Sequence, residues 1–219
     1  MNLLITAASE NAASMGFGVS DLNAQQFTWV LSRMHWELER PILCYEKVTI
    51  RTWPKNIMRT MFLRDFEILA ENGSVIGRVV SIWPALNTVT GKPETPNPTA
   101  VDKYLLNKNR HAMDLLPRKI KPITQGNQRF LEVTYFDLDF NQHVTSSRYI
   151  DWMLDSFSVS FHQNHYPKKL SVNYLKEVRV GEKLVLLNTE QDNVHILEGR
   201  NSNTGEVAFR GEIVFEETE

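Results

Sequence analysis

Two segments of this chain occur twice, in the same order and at nearly the same distance. CYEKVTI at 44–50 matches VGEKLVL at 180–186, which sets Glu46 against Glu182 at an offset of 136 residues. GSVIGRVVSIW at 73–83 matches GEVAFRGEIVF at 205–215, which sets Arg78 against Arg210 at an offset of 132. Two ordered anchors at similar offsets indicate a duplicated unit. In the first copy an Ala-rich amphipathic stretch, MNLLITAASENAAS, is stopped by Gly16 and Gly18. Four stretches rich in Val, Ile, Thr, Trp and Phe follow, which is strand composition: FTWVLSRMHWELE, CYEKVTIRTW, MRTMFLRDFEILA and SVIGRVVSIWPAL. ENGS joins the last two as a hairpin turn.

The second copy opens with a strand, QRFLEVTYFDLDF, which the first lacks. A helix is expected from about Val144 to Val159, with Ile150, Met153, Leu154 and Phe157 as its apolar stripe and Thr145 or Ser146 as its cap. KKLSVNYLKEVRV, EKLVLLNTEQ, VHILEGRN and EVAFRGEIVFEE then read as strands. Between the copies, NTVTGKPETPNPTAVDKY loses periodicity and gains proline, as a connector does. One long helix wrapped by a curved antiparallel sheet is the hot-dog architecture. The expected fold is therefore α+β, a tandem double hot dog whose N-terminal copy lacks its first strand. Its expected parts are a first copy at 1–98, a connector at 99–124 and a second copy at 125–219.

Composition narrows the function classes. The 219 residues carry a net charge of −2, so nothing draws the whole chain to nucleic acid. No apolar run approaches the roughly 20 residues that span a bilayer. The N-terminus lacks the basic start of a secretion signal. The single cysteine, Cys44, is expected to be a buried small hydrophobe, and no Cys/His cluster has zinc spacing. These features favour a reducing cytoplasm, with no metal or cofactor and no stable membrane association, and they leave room for a homodimer.

The segment FDLDFNQHVTSS sets Asp137, Asp139, Asn141 and His143 at every second position. In an extended segment these side chains share one face, with Leu138 and Phe140 on the other, towards a core. Asp137 is expected to be a strand-end or capping residue.

DLDFNQHVTSSRYIDWMLDSF resembles a segment of the acyl-acyl-carrier-protein (acyl-ACP) thioesterases, and so do VNYLKEV, LSRMHWELERP, VTIRTWP and SIWPALNTVTGKP. The resemblance implies a double hot dog that hydrolyses fatty acyl-ACP, ending fatty-acid elongation. It places the catalytic positions on Asp139, Asn141, His143 and Glu177. A cysteine that follows the glutamate in plant members corresponds to Val178 here, so a Cys–His nucleophile is absent at that position. Two residues that are Asn-Asn in the family are Thr145 and Ser146.

On this basis Glu177 and His143 are expected to activate water, Asn141 to hold the substrate and Asp139 to position its neighbours. The base is Glu177 or Asp139, and backbone N–H groups near Val144 are expected to take the developing negative charge. The resemblance puts an acyl tunnel largely in the first copy, with Trp29, Met34, Trp36, Met61, Leu63 and Trp83 as candidate lining. The acidic carrier calls for a basic patch, for which Lys103, Lys108, Arg110, Arg118, Lys119 and Lys121 are the candidates. An acyl-CoA thioesterase and a non-catalytic acyl-binding protein are the alternatives. Hydratase chemistry is disfavoured, because DFNQHVTS lacks the Gly and Pro of the hydratase segment.

Overall fold

The structure, a computed structural model, describes residues 1–96, 102, 104–107, 109–139 and 141–218. The chain divides into two units, Met1–Pro117 and Arg118–Glu219.

The first unit starts with α1 (Asn2–Ser14), and among the described residues no strand precedes it. Leu4, Ala8 and Ala12 recur every four residues and form its buried stripe. Gly16, at φ 75°, ends the helix in the left-handed region that glycine adopts without steric cost. After α2 (Val19–Asn23) come β1 (Phe27–Trp29), β2 (Arg33–Leu38), β3 (Val48–Met58), β4 (Met61–Ala70) and β5 (Val75–Asn87). The antiparallel order is β3-β4-β5-β2, and β1 also pairs with β5. Val30 and Ser32 donate to Pro84 and Ile82, so β1 and β2 are one strand with a kink.

Cross-strand register divides the side chains of β4 between two faces. Phe62, Arg64 and Phe66 lie opposite Trp83, Ser81 and Val79 on the helix side. There Phe62 packs with Ala12, Phe17, Leu22, Ala85 and Tyr104. Arg64 donates to Asn11 Oδ1 of α1 at 2.7 Å. Leu63 and Asp65 point the other way. The six candidate tunnel residues are therefore not one lining. Trp29, Met34, Trp36 and Trp83 are on the helix side, whereas Met61 and Leu63 are on the opposite one.

That opposite face is covered by the segment 110–117. Trp53 Nε1 donates to Arg110 O at 3.0 Å, and the Arg110 guanidinium lies 3.8 Å from the Trp53 ring centre. Ala112 N–H donates to Asp65 at 2.7 Å. Lys55 reaches Met113 O at 2.5 Å and Asp65 at 3.2 Å. Lys55 is the extra residue of a β-bulge between Pro54 and Asn56, which carries β3 past a proline to Met58.

The second unit contains β6 (Asn127–Glu132), a 3₁₀ turn at Tyr135–Asp137, α3 (Ser146–Leu154), α4 (Val159–Asn164), β7 (His165–Tyr174), β8 (Lys183–Gln191), β9 (Val194–Asn201) and β10 (Val207–Glu217). Its antiparallel order is β7-β10-β9-β8-β6. The single helix expected over Val144–Val159 is instead two. Ser158 accepts a hydrogen bond from Phe161 N–H at 3.1 Å and starts α4 afresh. Phe157 thereby leaves the stripe and packs edge-on against Phe215, with ring centres 4.7 Å apart. The cap of α3 is Thr145, but its side chain makes no capping bond. Gly211 of β10 lets α3 approach closely, because a Cβ there would overlap Met153.

The repeat read from the sequence has a structural counterpart. Glu46 accepts from Leu43 N–H and donates its own N–H to Leu43 O, closing the turn before β3. Glu182 makes the same pair of bonds with Arg179 before β8. Glu67 faces Arg78 across β4 and β5, as Glu198 faces Arg210 across β9 and β10. Each unit is a hot dog, and the chain is a double hot-dog α+β fold. Among the described residues neither unit has a long helix, since α1 has 13 residues and α3 has 9. Cys44 is exposed, not buried, because it sits on the turn that the Arg40–Glu46 ion pair holds outside the sheet.

Candidate active site

The four candidate residues lie in the second unit, on two adjoining loops. The row Asp137–His143 is not one extended face. Asp and Asn carry side chains that hydrogen-bond nearby backbone, and here they fold the row into a turn. Leu138 pairs with Val144, and Asp139 N–H donates to His143 O at 2.8 Å. Gln142, at φ 63°, makes the reversal. Leu138 is half-buried, and Phe140 lies outside the described residues.

Asp139 holds this turn together. Its Oδ1 accepts from Asn141 N–H at 2.8 Å and from His143 N–H at 3.3 Å. Asn141 is exposed at the tip. His143 leaves the turn beside the loop after β7. It pairs with Arg179, and Val144 N–H donates to Val178 O at 2.9 Å. That pairing brings Glu177 to the imidazole, with Glu177 Oε2 3.3 Å from His143 Nε2. Asp139, His143 and Glu177 are thus assembled, while Asn141 stands at the rim.

Two expectations about the loop change. Val144 N–H is taken by Val178 O, and Thr145 N–H is taken by Asp137 O. The N–H groups without a partner among the described residues are those of Ser146 and Ser147, which open α3. Asp137 caps the 3₁₀ turn, as expected. Its Oδ2 accepts from Thr134 N–H at 2.7 Å and Thr134 Oγ1 at 2.8 Å, and its Oδ1 accepts from Arg148 Nε at 2.7 Å. Burial alone would raise the Asp137 pKa, but these donors hold it below the usual carboxylate range.

Sequence reasoning missed Tyr149 and Arg148. Tyr149 is buried against Trp152, Tyr174 and Phe209. Burial pushes its hydroxyl pKa well up, the Val178 backbone opposes the shift, and the charges of Glu177, Glu182 and Asp139 add to it. Tyr149 is therefore kept as a neutral phenol. Nothing in the local spacing announces it, because Tyr149 reads as one more aromatic on the inner face of a helix.

Among the described residues no His, Cys, Asp and Glu group is arranged to hold a metal ion. The assembled chemistry is a carboxylate and an imidazole in contact, a structured loop and two N–H groups at a helix start that have no partner among the described residues. That set can activate water and receive an oxyanion.

Known proteins show the same organisation. A family profile for the acyl-ACP thioesterase N-terminal domain matches residues 1–104, and one for the C-terminal domain matches 120–217. The oleoyl-acyl carrier protein thioesterase 2 of Arabidopsis thaliana is 27% identical over 93% of this chain and 61% of its own length. The dodecanoyl-[acyl-carrier-protein] hydrolase of Cinnamomum camphora is 26% identical over 86% of this chain and 53% of its own. The chain thus spans only part of the length of these curated relatives. The crystal structure of an acyl-ACP thioesterase from Bacteroides thetaiotaomicron superimposes with a TM-score of 0.90, at 30% identity, over 98% of this chain and 87% of that one. The 12:0-ACP thioesterase of Umbellularia californica shares the fold, with a TM-score of 0.81 at 21% identity, over 100% of this chain and 87% of that one. With both domain profiles matched in order along nearly the whole sequence, the chain belongs to the acyl-ACP thioesterase family.

Proposed function

We propose that this protein hydrolyses the thioester of fatty acyl-ACP, giving a free fatty acid and the carrier thiol and so ending chain elongation. The observation that carries the assignment is the His143–Glu177 contact beside the turn that Asp139 organises. Glu177 and His143 take a proton from water, whose oxygen attacks the thioester carbonyl carbon. The carbonyl becomes an oxyanion facing the N–H groups of Ser146 and Ser147. Collapse of that intermediate breaks the C–S bond, and the departing thiolate takes up a proton. Asn141, at the exposed tip, orients the substrate. Asp139 shapes the turn, which leaves the role of base to Glu177. The acyl chain is assigned to the helix side of the first unit, where Trp29 and Trp83 pack against the aromatic cluster.

The carrier is acidic, and the cations proposed to meet it are Lys119 and Lys121, both exposed. Arg110 is engaged with Glu67 and Trp53, Arg118 holds Glu212, and Lys103 and Lys108 lie outside the described residues. The cytoplasm is the proposed setting, since the lone thiol of Cys44 is exposed and suits a reducing compartment. Among the described residues no helix is long and apolar enough to cross a membrane.

The test is release of free thiol from a panel of acyl-ACPs and matching acyl-CoAs, with wild type beside His143→Ala. A Cys44→Ser background removes the protein's own exposed thiol from the readout. Cleavage that needs His143 and favours the ACP esters supports the proposal and gives the chain length. Cleavage of CoA esters alone replaces the carrier, and no cleavage of either overturns the proposal.

A further inference from the structure

The turn that carries Asp139, Asn141 and His143 closes at both ends on Asp137, which Arg148 anchors by an ion pair. At its start Asp137 is almost fully buried and its carboxylate accepts from three donors, two from Thr134 and one from Arg148 Nε. At its end Thr145 N–H returns to Asp137 O at 2.9 Å. Arg148 stands in the first turn of α3 and is braced from the helix side by Asp151, whose Oδ2 accepts from it at 3.0 Å. Asp137 and Arg148 therefore bracket the ten residues 138–147, which include the whole turn. A guanidinium suits this place because it is planar and offers several donors in a fixed fork.

We infer that Arg148 is a positioning residue, which through Asp137 fixes where the turn presents His143 to Glu177. This rests on the proposed hydrolysis and deepens it. Arg148 touches neither Glu177 nor His143 in any hydrogen bond among the described residues, so its effect passes through the backbone of the turn. Surface ion pairs contribute little to stability. This one differs in having a buried carboxylate partner, and leaving Asp137 without its cation would free both the turn and the helix start. Reacting groups must be held to within about 0.5 Å, and a displacement of about 1 Å is enough to cost a hundredfold in rate.

The experiment compares wild type with Arg148→Met, which keeps the aliphatic stem and removes the donors, and with Arg148→Lys, which keeps the charge and loses the fork. Acyl-ACP hydrolysis is followed together with amide hydrogen exchange. In Arg148→Met, kcat is expected to fall by about tenfold to a hundredfold with KM within about twofold. Added guanidinium is expected to restore part of the rate, and Arg148→Lys to fall between. The amides of Asp139 and Gln142, both bonded within the turn, are expected to exchange at least about tenfold faster, while those of β8 keep their protection. An unchanged kcat and unchanged turn exchange would overturn the inference. Equal acceleration in β8 and the turn would also overturn it, since that marks general destabilisation. If wild type cleaves no acyl-ACP, the proposed function fails, and the exchange measurement still decides whether Arg148 holds the turn.

Discussion

His143 Nε2 lies 3.3 Å from Glu177 Oε2, and the two residues reach each other from loops that are far apart in sequence but paired through Val144 and Val178. The Glu177 side chain is 58% exposed, so its charge contributes little to folding. Glu177→Gln is therefore expected to lower kcat on acyl-ACP by at least about a hundredfold, the usual worth of a general base, while thermal unfolding stays put. Turnover close to wild type would remove Glu177 from the mechanism.

Asp139 is expected to act through the turn. Its Oδ1 accepts two backbone N–H groups, a task that an amide oxygen can also perform. Asp139→Asn is thus expected to retain most activity, and Asp139→Ala to lose it along with protection of the His143 amide. The opposite reading, Asp139 as base, requires both variants to fail equally. Steady-state rates on one acyl-ACP with both variants decide between them.

Much of this architecture could be read from residue pattern, and the misses have local causes. The repeat was visible because Glu46 and Glu182 close the same turn, and Arg78 and Arg210 occupy the same register on the last strand of each unit. The run of β3 to Met58 was not visible, because Pro54 reads as a strand end and only the bulge at Lys55 reconciles it with the ladder. The alternation at 137–143 was real in the sequence, but Asp139 satisfies the backbone locally and turns the row into a loop. The period alone carries no information on that choice. The helix at 144–159 failed where Ser158 offered a cap in mid-stripe. Glu177 is legible only through resemblance, since in KKLSVNYLKEVRV it reads as an ordinary surface residue of an alternating strand, whereas the strand ends at Tyr174 and leaves Glu177 on the loop beyond it.

Beneath the segment 110–117, Lys55 and Asp65 form a buried ion pair, with Asp65 fully inaccessible. Burial raises the Asp65 pKa, and the Ala112 N–H and Lys55 oppose the rise. Lys55→Met leaves that carboxylate without its cation and is expected to cost about 3–5 kcal/mol in urea unfolding. Removing the carboxylate as well, in Lys55→Met with Asp65→Leu, is expected to recover much of the loss. In the single variant, stability should improve as the pH falls, because a carboxylate with a raised folded pKa favours folding once it is protonated. A loss below about 1 kcal/mol would show that water reaches Asp65 and that the segment is loosely held.

Asp137 has the opposite sign. Its pKa in the folded chain lies below the ordinary value, because the donors from Thr134 and Arg148 outweigh its burial. Its contribution to stability is therefore complete above the unfolded pKa, near 3.9, and is lost as the pH falls through the lower folded value. Asp137→Asn keeps an oxygen facing Arg148 but has no charge to lose. Urea midpoints measured between pH 5 and 2 are expected to fall less steeply for Asp137→Asn than for wild type, on the order of the few kilocalories that a hydrogen-bonded charge pair supplies. Other carboxylates with lowered pKa values, such as Glu46 at about 2 beside Arg40, are common to both proteins and cancel in the difference. Parallel acid limbs would show that the bond between Asp137 and Arg148 adds nothing to the fold. The turn that presents His143 would then be held by the Asp139 side chain and the backbone bonds around it.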